Sequence, residues 1–345
     1  MSTTRKGPAR PPFERGVVVV SLDTEQIWGY MDHTTPAEYL ARFPRAGQTA
    51  ARLLDLFVAH GVSATWTVVG GLSLTGSQGA ADERMAGLPK EWLARIRPGN
   101  ELSEPAWYAR SLVTRIRDAA VSQEIGLHGG LTHLPWSRPA QPVEVLRREL
   151  AGGIRALHEI GVRPVSFTFP RNFEARTEVL AEFGFRCFRG PGVGSSDSTN
   201  RTLYGSVSRI AAEWRLAAPA VFVPAEQPEG LWNIPSSLFL FRMAGVRALV
   251  APLPTRRLRV RRGIEAAIKS RAVFHLWLHP DNLAESGAAF GVFEGIVREI
   301  DDYRRRGDIE VLTMAEVANR MDASARATSP GRAAARSHQV AASGR

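Results

Sequence analysis

Four apolar runs in this chain each break off at polar side chains able to do chemistry. Val17 to Leu22 runs into Asp23 and Glu25, and Glu124 to Leu127 runs into His128, with His133 close behind. Val165 to Pro170 runs into Arg171, and Ala272 to Leu278 runs into His279. Stretches of helical character separate them. Strands alternating with helices, and ending in acids and imidazoles, predict an α/β fold of TIM-barrel type. In such a fold the C-terminal strand ends converge on one site. Two carboxylates and two histidines are a donor set for a divalent cation, and a further histidine can move a proton. The pattern implies a metal-dependent hydrolase.

Periodicity predicts strands at 17–23, 64–69, 124–128, 165–170, 185–188, 231–240, 272–278 and 309–312. Helices are expected near 47–60, 106–119, 142–160, 174–183 and 289–306. Thr313 and Glu316 form a capping-box pattern that opens a last helix. The alternation runs unbroken over 16–321, which reads as one catalytic domain, with 190–230 as an inserted loop region. Residues 1–15 and the Arg/Ala/Ser-rich tail 322–345 have the composition of disordered segments.

The net charge of +10 invites a nucleic-acid reading, but the positive residues are nearly all arginine, with lysine only at Lys6, Lys90 and Lys269. No zinc-finger, RNP or helix-turn-helix signature accompanies them, so no nucleic-acid partner is expected. The run Arg256 to Arg262 reads as a solvated face or loop; its functional alternative is a clamp for a phosphorylated or lipid-linked sugar or an anionic membrane surface. Cys187 is the sole cysteine, so no intramolecular disulfide can form. Phe185 and Phe188 beside it mark a buried structural thiol. There is no signal-peptide core and no apolar run of transmembrane length, so the cytoplasm is the expected location.

Asp23 and Glu25 are two apart, so both point to one side of a strand. Such a pair repels itself unless a cation or proton intervenes. His128 and His133 are five apart and can share a metal only from a curled loop; Gly129-Gly130 allows that turn. His275, Trp277 and His279 share one strand face, and Pro280 leaves His279 at the rim. His275, deeper, reads as a satisfied core histidine. Arg171 can grip a carboxylate by a bidentate fork, with Asn172 beside it as a polar substrate contact. Trp28, Tyr30 and Trp136 follow motif residues directly and are expected to stack on a sugar ring, with 190–230 covering the same groove.

Together these residues resemble the polysaccharide deacetylase family, the NodB-homology domain of carbohydrate esterase family 4. The similar segments are Ser21-Leu22-Asp23-Thr24-Glu25, Ala64 to Gly70, Glu124 to His133, Phe169-Pro170-Arg171-Asn172 and Leu276-Trp277-Leu278-His279-Pro280, in family order. The resemblance implies a distorted (β/α)7 barrel. It implies Asp23 as general base, Glu25, His128 and His133 as ligands of a divalent metal cation, Zn2+ or similar, and His279 as general acid. Arg171 would orient Asp23. Three positions depart from the family pattern: the histidine gap is five rather than four, Glu25 stands where Asp is usual, and no aspartate lies near Leu231-Trp232-Asn233.

The expected reaction is removal of an N-acetyl group from an amino sugar, free or carried on a lipid- or nucleotide-linked glycan precursor. The alternatives are a deformylase or O-acyl esterase on a small carbohydrate-like substrate, or a non-catalytic sugar-binding relative.

Overall fold

The computed structural model describes residues 12–137, 139–192, 217–240, 253–284 and 286–328. Among the described residues twelve strands occur in chain order: β1 Gly16–Thr24, β2 Thr65–Val68, β3 Gly76–Ser77, β4 Gly99–Asn100, β5 Glu124–His128 and β6 Ser166–Thr168. Then follow β7 Cys187–Arg189, β8 Ala225–Glu226, β9 Trp232–Asn233, β10 Leu238–Phe239, β11 Val273–Leu278 and β12 Ile309–Val311. β3 and β4 form a separate antiparallel ribbon; the other ten make one sheet. Seven parallel strands run in the order β11-β1-β2-β5-β6-β7-β9, with β10 added parallel outside β11, β8 antiparallel outside β9, and β12 pairing parallel with β1 off this path. The expected (β/α)7 arrangement is thus present.

The sheet curls back on itself. β9 and β10 lie near opposite ends of the strand order, yet only Ile234 to Ser237 separate them. So short a link spans at most about 18 Å, which brings the sheet ends together. The link is tied to β11: the Ser237 N–H donates to the His275 carbonyl (2.9 Å), and the His275 Nδ1 sits 3.3 Å from the Ile234 carbonyl and 3.2 Å from that of Pro235. The single strand expected at 231–240 is therefore two short strands. Pro235 lacks the N–H that a continuous ladder would need.

Period-two alternation splits each strand between two cores. On β1, Val18, Val20 and Leu22 join the large core between sheet and helices, while Val17 and Val19 join a smaller interior cluster with Cys187, Trp232, Val273 and Met314. Phe13 also lies in that interior cluster, so the N-terminal segment is anchored from that point, contrary to the expectation of disorder. The last helix, Met314–Thr328, likewise runs past the boundary at 321. Buried Asp322 holds it there by accepting from the Trp232 Nε1–H (2.8 Å) and pairing with Arg186. The expected capping box opens this helix: the Thr313 N–H donates to Glu316 (2.8 Å) and the Glu316 N–H to Thr313 Oγ1 (3.2 Å).

The arginine run belongs to a helix, Leu253–Ser270, rather than to a loop. Arg256 is buried, and Arg257 and Arg261 both pair with Glu299. Cys187 is buried, and burial pushes its thiol well above the ordinary range. Among the described residues no helix is long and apolar enough to cross a membrane. Of the loop expected over 190–230, residues 193–216 lie outside the described residues.

Where the loop after β5 crosses the helix Val143–His158, the backbones touch. A Cβ on Gly153 would sit 2.7 Å from the Gly130 carbonyl carbon and 2.9 Å from its oxygen. Alanine is the better helix former by about 1 kcal/mol. Gly153→Ala is nonetheless expected to destabilise the protein by about 1–3 kcal/mol, because overpacking outweighs propensity. Chemical denaturation reads the sign directly.

Candidate functional site

Parallel strands put all their C-terminal ends on one side, and the polar side chains meet there. Asp23 lies near the end of β1, and Glu25 just beyond it, before a 3-10 turn Gln26–Gly29. His128 ends β5 and Arg189 ends β7. His133 is carried by the loop after β5, and His279 follows β11 directly. Asp23, Glu25, His128, His133 and Arg189 are all buried, whereas the His279 side chain keeps 19% of its surface exposed.

Glu25 Oε2 lies 2.9 Å from His128 Nε2 and 3.1 Å from His133 Nε2, and the two Nε2 atoms are 3.2 Å apart. These three atoms form a near-equilateral triangle. A tetrahedral cation with ligand distances of about 2.0–2.1 Å needs edges of about 3.3 Å, so the triangle fits one face of such a site. Protonation supports the fit. His128 Nδ1 lies 3.0 Å from the Thr168 carbonyl, to which it donates. That leaves the Nε2 of the neutral ring as a lone pair facing a carboxylate. Burial would raise the Glu25 carboxyl, but His279, His133 and His128 hold it well below the ordinary range. Burial pushes His133 down to about 4, the neutral form that ligates metals. A carboxylate oxygen and two imidazole nitrogens this close need a proton or a cation among them, and the donor set suits a divalent cation.

Beside the triangle lies an ion pair that sequence reasoning assigned to the wrong arginine. Arg189 grips Asp23 bidentately, Nη1 to Oδ1 at 2.7 Å and Nη2 to Oδ2 at 2.6 Å. Its Nη1 also donates to Ser21 Oγ (3.2 Å) and its Nη2 to Asn172 Oδ1 (2.8 Å), and the guanidinium lies over the Trp277 ring at 4.1 Å. Burial opposes the Asp23 charge, but Arg189, His128 and His279 bring its carboxyl down to about 2. Arg171 does not reach Asp23. It turns outward at φ 62° and pairs with Asp32 and His33 at the mouth. The strand carrying Arg189 was expected from its sequence, but a lone arginine after Phe-Arg-Cys-Phe carries no motif. The one available signal was its period-two register with Cys187 on the interior face.

Beneath the pair, Ser21 Oγ and His275 Nε2 are 2.8 Å apart. Burial takes His275 down to about 3, so it is a neutral, satisfied core histidine as expected. His279 Nε2 lies 3.3 Å from Glu25 Oε1 and 3.9 Å from Asp23 Oδ2. Burial works against its charge, yet Glu25 and Asp23 push its pKa upward. The site therefore holds an ionised carboxylate and a partly exposed imidazole disposed to carry a proton, both beside a cation-sized triangle.

The expected aromatic sugar platform is corrected. Trp28 is 0% exposed, packed edge-on against Trp107 and Tyr108, and its Nε1–H donates to the Trp107 carbonyl at 2.7 Å. Trp136 is 2% exposed against Phe167 and Phe169. Both rings bury more apolar area against neighbouring loops than a solvent-facing pose would, and neither face is free to stack. Tyr30 is partly exposed, against His33, Tyr39 and Phe43. Asn172 is turned to Arg189 by a positive φ of 56°.

Two measurements check this geometry. Arg189→Met strips the buried Asp23 carboxylate of its bidentate partner, and is expected to cost about 3–5 kcal/mol. Arg171→Ala, which breaks an exposed pair, should cost no more than about 1 kcal/mol. Thermal denaturation of both variants separates the two arginines. Trp28→Ala is expected to lose about 3–5 kcal/mol of stability, whereas a Trp28 that stacked on substrate would leave stability unchanged and raise KM.

No protein-family profile matches this sequence, and no curated protein sequence does. Solved structures match over almost the whole chain. A candidate polysaccharide deacetylase from Mycobacterium smegmatis aligns with a TM-score of 0.59 at 18% identity, over 93% of this chain and 96% of that one. PuuE allantoinase aligns with a TM-score of 0.57 at 12% identity, over 96% and 99%. A candidate polysaccharide deacetylase from Pseudomonas aeruginosa PAO1 gives 0.56 at 13% identity, over 88% and 90%. At these identities the likeness is one of fold, and it agrees with the resemblance carried by the motifs: this chain has the curled (β/α) barrel of the polysaccharide deacetylases.

Proposed function

We propose that the protein is a metal-dependent hydrolase that removes the N-acetyl group from an amino sugar, free or on a lipid- or nucleotide-linked glycan precursor. The observation that carries this reading is the contact between the Glu25–His128–His133 triangle and two groups of opposite proton-transfer character, Asp23 and His279. Asp23 Oδ2 lies 3.8 Å from His128 Nε2, and His279 Nε2 lies 3.3 Å from Glu25 Oε1.

Glu25, His128 and His133 would hold the cation, Zn2+ or a similar ion, which when bound supplies Lewis acidity at the acetyl carbonyl and lowers the pKa of a water. The rest falls to the chain's own residues. Asp23, kept ionised and aimed by Arg189, accepts the proton of the attacking water. His279, partly exposed, donates a proton to the nitrogen as the C–N bond breaks. An amide nitrogen leaves only as the protonated amine, so an acid is needed on that side. Burial of Glu25 and both ligand histidines excludes bulk water and strengthens each charge interaction.

A second reading keeps the chemistry and changes the substrate. The same fold occurs in an allantoinase, so allantoin, formamides and O-acyl esters belong in the same assay as the acetylated sugars. A sugar-binding relative without activity would bind one of these compounds and turn over none.

The test is turnover by the zinc-loaded protein across that panel, read as acetate from the acetylated sugars and esters, formate from the formamides and allantoate from allantoin. Asp23→Asn is expected to retain zinc and lose about 10²–10⁴-fold in kcat/KM. His279→Ala should also retain zinc, and should slow amides more than activated esters, whose leaving groups need no proton. An equal loss for both classes would remove the general-acid role.

A further inference from the structure

The histidine gap of five poses a problem that the loop alone does not solve. Gly129 and Gly130 turn the chain at φ 78° and 154°, but His133 must itself sit in the left-handed region, at φ 61°. A non-glycine residue stays there only when its surroundings fix it. Those surroundings include a buried acid from another element. Glu149, on the helix Val143–His158, is 0% exposed. Its Oε1 accepts from the Thr132 N–H (2.7 Å), the Leu134 N–H (3.1 Å) and the Thr132 hydroxyl (2.9 Å). Its backbone carbonyl accepts from the Leu131 N–H at 3.0 Å. One residue thus holds the N–H groups of both residues that flank His133. Trp92 braces the far side, its Nε1–H donating to Thr132 Oγ1 at 2.9 Å.

We propose that Glu149 is the positioning residue for His133, clamping the N–H groups that flank it so that a five-residue gap still presents Nε2 to the cation triangle. The inference rests on the cation-binding reading of Glu25, His128 and His133. An ionisable side chain is costly to bury for a mere turn, and both N–H groups it collects adjoin the histidine. Both N–H groups end on the one oxygen Oε1, which glutamine would keep, whereas methionine has nearly the same length and carries no oxygen acceptor.

A purely structural role is separated by a control at the other end of β5. Glu124 is also a carboxyl that burial raises, and its Oε2 accepts from Thr65 Oγ1 (2.7 Å) and the Ala315 N–H (3.0 Å). Its loss should loosen the fold without touching the triangle. The experiment measures zinc affinity by chelator competition, and the visible spectrum with cobalt, for the native protein, Glu149→Met and Glu124→Met, with Tm for each. Both variants are expected to lower Tm. Only Glu149→Met should weaken zinc, by about 10–100-fold, the usual cost of losing an outer partner, and alter the cobalt spectrum. Native affinity in Glu149→Met, or equal loss in both variants, overturns the proposal. If Glu149→Met does not fold, Glu149→Asp keeps the charge but cannot reach both N–H groups, and native affinity there is equally fatal. If the native protein takes up no zinc, the cation reading fails by itself. The imidazole 15N shifts of His133 then decide: moved by Glu149→Met and not by Glu124→Met, they uphold the clamp; unmoved, they refute it.

Discussion

The ion pair between Asp23 and Arg189 is the interaction on which the interior depends. A carboxylate out of water is costly unless charge and hydrogen bonds compensate it, and here the compensation comes from the opposite wall of the barrel. Arg189 spends its donors on Asp23, Ser21 and Asn172. Ser21 in turn meets His275, and His275 reaches the carbonyls of the link between β9 and β10. One chain of polar contacts thus runs from the candidate base to the seam of the sheet. A strand slipping by one residue would turn Arg189 to the apolar outer face, so this chain fixes register as well as charge.

Much of this was legible in the sequence because it follows period and spacing. β5 is found where Glu124 to His128 placed it, and Asp23, Glu25, His128, His133 and His279 do converge. What was not legible depends on three-dimensional competition. Arg171 and Arg189 both follow strands that enter the barrel, and only the fold shows which one reaches Asp23. Pro170 starts a turn in which Arg171 adopts a left-handed conformation and swings outward, while Arg189, in register with Thr168, points in. Trp28 and Trp136 follow motif residues as substrate-stacking rings would, but a ring packed on Trp107 or Phe169 reads identically in one dimension. Phe13 and Asp322 lie in segments of disordered composition, where a single anchoring contact leaves no periodic trace.

Backbone strain is concentrated at the site. Among the described residues six non-glycine residues have positive φ, and Gln26, His133, Arg171 and Asn172 among them carry, flank or support the polar cluster. Such conformations persist where neighbouring contacts over-determine them. Asn172 is held by its bond to Arg189, and His133 lies between two peptides bonded to Glu149.

The strand order also sets a timetable for assembly. Glu25, His128 and His133 come from β1, the loop after β5 and their near neighbours, which are linked through β2 early in the chain. β11 pairs with β1 from near the C-terminus, with Val273 opposite Val17. Contacts so distant in sequence demand the closure of very long loops and form slowly. During synthesis the three candidate ligand side chains emerge well before His279 does. A growing chain therefore holds the parts of the candidate cation site before it holds the residue proposed to release a leaving group, and brings the two together only when β11 docks.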